Sequence, residues 1–209
     1  MRSPSRKRAS DLRGRTPTSD FSVDEPMKKP KIDESVKENI ALPETSGPNY
    51  WLFKSEPLSR IEQGIEMKFS IDDLAAAPNQ TSCWDGVRNY QARNMMRDKM
   101  KAGDLGFFYH SSCPEPGIVG IVKVTKESYP DHSSWNKSSG HFDPRSVPES
   151  PIWFMVDVQL VRRLSRLISL HELKGYSDEL QGLRLIARGS RLSIQPVAPD
   201  HWHRILALE

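Results

Sequence analysis

The chain has 209 residues, 36% hydrophobic and 27% charged, which suits one compact domain with an appendage better than two domains. Its formal charge is +3, and the first 48 residues, with 10 Lys and Arg against 8 Asp and Glu, carry +2 of it. A remainder near neutrality excludes a strong electrostatic clamp on DNA, and no apolar run approaches the ~20 residues that cross a bilayer.

Residues 1–48 are rich in Ser, Pro, Thr and charge and hold no Trp or Tyr, so they are expected to be disordered. Ser5-Arg6-Lys7-Arg8 and Lys28-Lys29-Pro30-Lys31 read as nuclear import determinants, with loose nucleic-acid contact as the other reading. Ser3-Pro4 and Thr16-Pro17 are candidate sites of proline-directed phosphorylation. The basic start has no apolar stretch after it, so no secretory signal is expected.

At Asn49 the composition turns aromatic and apolar, which marks the domain boundary. Tyr50 to Lys54 predicts a strand ended by the Ser-Glu-Pro turn. Ser70 and Asp73 stand in capping-box spacing and predict a short helix to Ala77, ahead of Pro78; a second helix is predicted over Tyr90 to Lys101. Strands are expected where Leu105, Phe107 and Tyr109 alternate, over Ile118 to Val124, and over Trp153 to Leu164. Tyr129 to Pro151 reads as a long ordered loop, Ser169 to Lys174 as a capped short helix, Ser190 to Val197 as a late strand, and Pro199 to Leu208 as a closing helix. Short strands mixed with short helices predict an α/β domain of the α+β kind, built on a small curved sheet or barrel.

Two segments carry the chemistry, YWLFKSEP from Tyr50 to Pro57 and WDGVRNYQARNMMR from Trp84 to Arg97. Each joins an aromatic ring, a cation and a short hydrogen-bonding side chain, as a pocket for a nucleobase and its phosphate requires. Trp51 and Trp84 offer flat faces, and stacking contributes roughly 1–3 kcal/mol per base without discriminating among bases. Asp85, Asn89, Ser55 and the backbone near Gly86 are candidates for reading a base edge, and Lys54, Arg88 and Arg93 for holding phosphate. The competing reading is that both Trp rings simply belong to the core.

His110 admits two readings, a place at the pocket mouth or satisfaction by a backbone carbonyl. Cys83 and Cys113 lack paired zinc spacing, and His201 with His203 lacks further ligands at a recognisable spacing, so no metal site and reduced thiols are expected.

These blocks, with GDLGFFYHS at Gly103 to Ser111, PGIVGIVKV at Pro116 to Val124, the Tyr-Pro-Asp at Tyr129 to Asp131 and SRLSIQPV at Ser190 to Val197, resemble the EVE domain family over Asn49 to Glu209. The resemblance implies a PUA-like, mostly antiparallel pseudo-barrel with peripheral short helices. It also implies binding of modified DNA bases, 5-hydroxymethylcytosine or 5-methylcytosine foremost, without a cofactor. The residues that match the family blocks are Trp51, Lys54, Ser55 and Glu56; Trp84, Asp85, Gly86, Val87, Arg88 and Asn89; Tyr109, His110 and Ser111; and Arg191 with Ser193. Stacking is assigned to Trp84 with Trp51 as supporting wall, phosphate contact to Lys54, Arg88, Arg93 and Arg191, and the other matching residues to the base pocket.

The expectation is therefore a monomeric nuclear reader of modified DNA, with RNA as a further nucleic-acid partner not set aside and no membrane or metal. The other readings are a hydrolase acting on a modified nucleoside, drawn from Lys54, Glu56, Asp85 and His110, and a protein-interaction module on chromatin. Tyr176 to Gly189 does not align with the family pattern.

Overall fold

Alternation along the first strand sets the architecture of this computed structural model, which describes residues 47–62 and 64–209. The expected import and phosphorylation sites in the tail lie outside the described residues. In β1 (Tyr50–Ser55), Trp51 and Phe53 enter one apolar layer and Leu52 the other, so both faces are buried. A hairpin of β2 (Ile61–Glu62) and β3 (Ile65–Glu66) leads to α1 (Ile71–Ala76), β4 (Thr81–Trp84) and α2 (Tyr90–Lys99). The chain continues through β5 (Leu105–His110), β6 (Gly117–Pro130), β7 (Phe154–Ser169), α3 (Leu170–Gly175), β8 (Ile194–Val197) and α4 (Pro199–Leu206).

Six strands form one sheet in the order β4-β7-β6-β5-β1-β8, in which only β1 and β5 run parallel. The sheet is strongly curled. Phe53 on β1 and Trp84 on β4 meet edge-to-face with centroids 5.1 Å apart. Four inter-strand steps at about 4.8 Å each would separate those strands by about 19 Å in a flat sheet. Register shifts along β6 and β7, at Ile118/Gly120, Ile121/Val122, Val124/Lys126 and Lys126/Tyr129, supply the bend, because each bulge kinks its strand and increases the local twist. The result is a mixed α+β fold, mostly antiparallel, with its inner layer enclosed by its own sheet.

The outer layer is covered by α3, by the turns of residues 176–186 and by α4, whose Trp202 stacks on Tyr50 at 4.5 Å and on Phe107 at 4.1 Å. His203 of the HxH pair lies edge-on to Tyr50 at 6.1 Å. Ser70 and Asp73 form the expected reciprocal capping box. At α3 only half of such a box forms: Ser169 accepts the Glu172 N–H, while the Glu172 carboxylate pairs with Arg166.

Several boundaries differ from expectation. β6 and β7 are longer than their apolar runs because their ladder continues where one face is wet. The late strand shrinks to Ile194–Val197, an edge where Pro196 is tolerated. The long loop begins only at Asp131 and is a series of turns, including a 3-10 turn at His132–Trp135.

Candidate functional site

Because β1 and β5 are parallel, Lys54-Ser55 and His110-Ser111 end on the same rim, where the curl brings β4 against them. A pocket of about 500 Å³ opens there, a size typical of small-ligand sites. Its floor is Trp84 and Phe69, in edge-to-face contact at 5.8 Å. One wall is the Asp85-Gly86-Val87 loop with His141; the other carries Lys54, Ser55, Glu56, Ser111, Ser193 and Arg191.

Two polar groups in the second wall lack a hydrogen-bond or ion-pair partner among the described residues. The Ser55 hydroxyl is buried without a hydrogen bond, a state that costs about 1–3 kcal/mol until a ligand group satisfies it. Lys54 is half-buried with no carboxylate in ion-pair range, its ammonium 5.9 Å from the Tyr109 ring centroid, and burial holds its pKa below the usual lysine value. Glu56, by contrast, accepts from Ser112 and pairs with Arg60 at 3.1 Å.

The first wall is built around a buried carboxylate. Asp131 is 0% exposed and accepts from the Gly86 N–H at 3.1 Å, the Arg88 guanidinium at 2.7 Å, and both the N–H and the hydroxyl of Ser133. Burial alone would raise its pKa, but the Ser133 and Arg88 donors outweigh burial and hold it below the usual carboxylate value. Arg88 also donates to the His141 carbonyl, which seats the His141 imidazole over Gly86. Gly86 has φ +72 and a Cβ there would collide with that ring, so the position requires glycine twice over.

Of the residues predicted for the site, Lys54, Ser55, Glu56, Trp84, Asp85, Gly86, Val87, Ser111, Arg191 and Ser193 line this pocket. Six do not. The Trp51 indole N–H donates to buried Asp104 at 2.8 Å and anchors the Lys101–Asp104 turn, so Trp51 is a core residue and not a supporting wall. The Asn89 carboxamide oxygen caps α2 through the Ala92 N–H, which occupies the group expected to read a base. Tyr109 points into the outer layer, where burial pushes its pKa to about 12.

His110 accepts the Ile71 N–H through Nε2 at 3.1 Å. Its partner is therefore an amide at the start of α1, neither a carbonyl nor the pocket, and burial lowers its pKa against the opposing pull of Asp72 and Asp73. Arg88 is committed to Asp131 and His141, and Arg93 donates to the Ile152 carbonyl and Asn94 and lies over the Tyr90 ring at 4.9 Å. Two of the four cations expected for phosphate, Arg88 and Arg93, thus bond protein oxygens here, while Lys54 and Arg191 line the pocket. Trp84 is itself only 6% exposed and touched edge-on by Phe53, Phe69 and Phe108, so it serves as floor rather than as an open stacking face.

Sequence reasoning missed Met67, Lys68, Phe69 and His141. The first three belong to the segment that follows the β2–β3 hairpin, too short to carry an alternation signal, and reach the rim through the Phe69 N–H to Glu56 carbonyl bond at 2.9 Å. Among the described residues, no three His, Cys, Asp or Glu side chains gather in a metal-binding group.

The EVE domain matches residues 49–208. This chain belongs to the EVE domain family. Its relatives include thymocyte nuclear protein 1 of Mus musculus, 48% identical over 99% of this chain and 92% of that protein, and the Homo sapiens protein of the same name, 52% identical over 77% and 74%. The relatives' name agrees with the nuclear location expected for this EVE protein. A crystal structure of the human THYN1 protein in complex with 5-methylcytosine-containing DNA superposes with a TM-score of 0.74 at 51% identity, covering 77% of this chain and 96% of that one.

Proposed function

We propose that this EVE domain reads modified DNA bases, with a 5-substituted cytosine extruded from its strand and held in the pocket above Trp84 and Phe69. The observation that carries the reading is the Ser55 hydroxyl, buried and without a hydrogen bond among the described residues, beside Lys54, which has no carboxylate partner among them, in a pocket with an aromatic floor. An extruded base supplies acceptors for both groups, and its unstacking costs a few kcal/mol that burial and hydrogen bonding offset. The 5-methylcytosine DNA bound by the human relative supports the same ligand class.

Met67, Phe69 and Val87 give the pocket apolar surface for a 5-substituent. One buried methyl is worth about 0.8 kcal/mol, or roughly fourfold in affinity. A 5-hydroxymethyl group adds a partner for a polar wall. Binding of the full chain to matched oligonucleotides carrying cytosine, 5-methylcytosine or 5-hydroxymethylcytosine, followed by mass analysis of the recovered nucleosides, tests the reading. Preference for a modified form with unchanged mass supports a reader; equal affinities refute it, and an altered mass replaces it with a hydrolase.

A further inference from the structure

The described residues contain twelve arginines, and nine have a partner: Arg60, Arg88, Arg93, Arg97, Arg145, Arg162, Arg163, Arg166 and Arg204 each bond a carboxylate, a carbonyl or an amide oxygen. The remaining three, Arg184, Arg188 and Arg191, are exposed, and all three line one groove of about 410 Å³ that contains no carboxylate. Arg191 lines the base pocket as well, so groove and pocket adjoin at its side chain.

The local fold explains this arrangement. Leu183, Leu185 and Leu192 are buried and pin the segment, leaving the intervening arginines outside. Gly189, at φ +80, turns the chain between Arg188 and Arg191, and buried Gln195 fastens the turn by donating to Ser190 Oγ at 3.2 Å and to the Leu192 carbonyl at 3.0 Å. Elsewhere among the described residues each guanidinium bonds a neighbouring oxygen, in most cases a carboxylate. Here three exposed guanidinium groups share a groove that no carboxylate lines, an arrangement that an anion complements.

We infer that the Arg184–Arg188–Arg191 groove is the track for the phosphates flanking the base in the pocket, a reading that rests on the proposed function. It assigns a phosphate role to Arg184 and Arg188, whose guanidinium groups bond no described residue, whereas those of Arg88 and Arg93 bond protein oxygens. Phosphate contacts position a strand without reading its sequence. The groove therefore sets affinity for an oligonucleotide, and the pocket sets preference for the modification.

The test uses the full chain with Arg184→Ala/Arg188→Ala, and Arg162→Ala/Arg163→Ala as a control of equal charge. Each lost phosphate contact lowers the slope of log K against log salt concentration by about 0.7–0.9, so the groove variant loses about 1.4–1.8. It weakens binding to modified and unmodified oligonucleotides by the same factor and leaves binding of the isolated modified nucleoside, which carries no phosphate, unchanged. A slope that does not move, or one that falls equally in the control, overturns the groove. If the wild type shows no preference for modification while the slope still falls in the groove variant alone, the groove stands as a backbone site and the base reading falls.

Discussion

Replacing Asp131 by Ala tests whether the first pocket wall is held by one buried charge. Four donors converge on that carboxylate, two from the Gly86–Arg88 loop and two from Ser133. Breaking a buried ion pair by removing one partner costs about 3–5 kcal/mol. Arg88 keeps 24% side-chain exposure and its bonds to the His141 carbonyl, so the lower end applies, about 3 kcal/mol. For a domain of this size that corresponds to a fall in melting temperature of roughly 6–12 °C.

Urea denaturation of Asp131→Ala, Arg88→Ala and the double variant gives the coupling directly, with at least about 1 kcal/mol expected between the two sites. The Asp131 carboxyl titrates below its unfolded value, so its stabilisation is present above about pH 4 and is lost as the pH falls through the folded pKa. The alanine variant therefore loses its deficit relative to wild type in acid. A cost under about 1 kcal/mol at pH 7, or additive single variants, refutes the account of the wall.

Lys54→Met is expected to leave thermal stability unchanged or raised, since a partly desolvated cation is removed, and to weaken oligonucleotide binding in a fluorescence anisotropy titration; a stability loss without an affinity loss contradicts its place in the site. Trp51→Phe removes the donor to buried Asp104 and should cost about 1–2 kcal/mol by denaturation while leaving affinity intact. A weakened affinity in that variant would restore Trp51 to the pocket. His110 is held neutral as an acceptor, with its folded pKa below the unfolded value, so its contribution is full at neutral pH and declines as the pH drops below about 6.5 toward the folded pKa. His110→Gln should flatten stability between pH 7.5 and 5; an unchanged pH profile would exclude the histidine as its source.

Local signals were legible where the chemistry is local. Ser70 and Asp73 announced their capping box, and the Trp84–Val87 segment and the Lys54–Glu56 strand end, picked out for their rings and polar groups, line the pocket. Trp51 and Trp84, alike in sequence context, part company because only the fold puts Asp104 against one indole. Arg88 and Arg191 are equally basic, and it is Asp131, more than forty residues beyond Arg88, that consumes the former. The His141 carbonyl that shares this guanidinium has no sequence signature at all.

The pairing of β8 with β1 has a consequence for how the protein matures. Ser193 and Arg191 are held at the pocket beside the bond from the Lys54 N–H to the Ser193 carbonyl, which joins the first strand of the domain to the last. Closing so long a loop is entropically costly and belongs to the slow, late part of folding. The wall formed by Arg191 and Ser193 is consequently missing from any nascent chain that stops short of β8. Once a ligand occupies it, the two ends of the domain are tied together, and binding energy becomes global stability rather than local order.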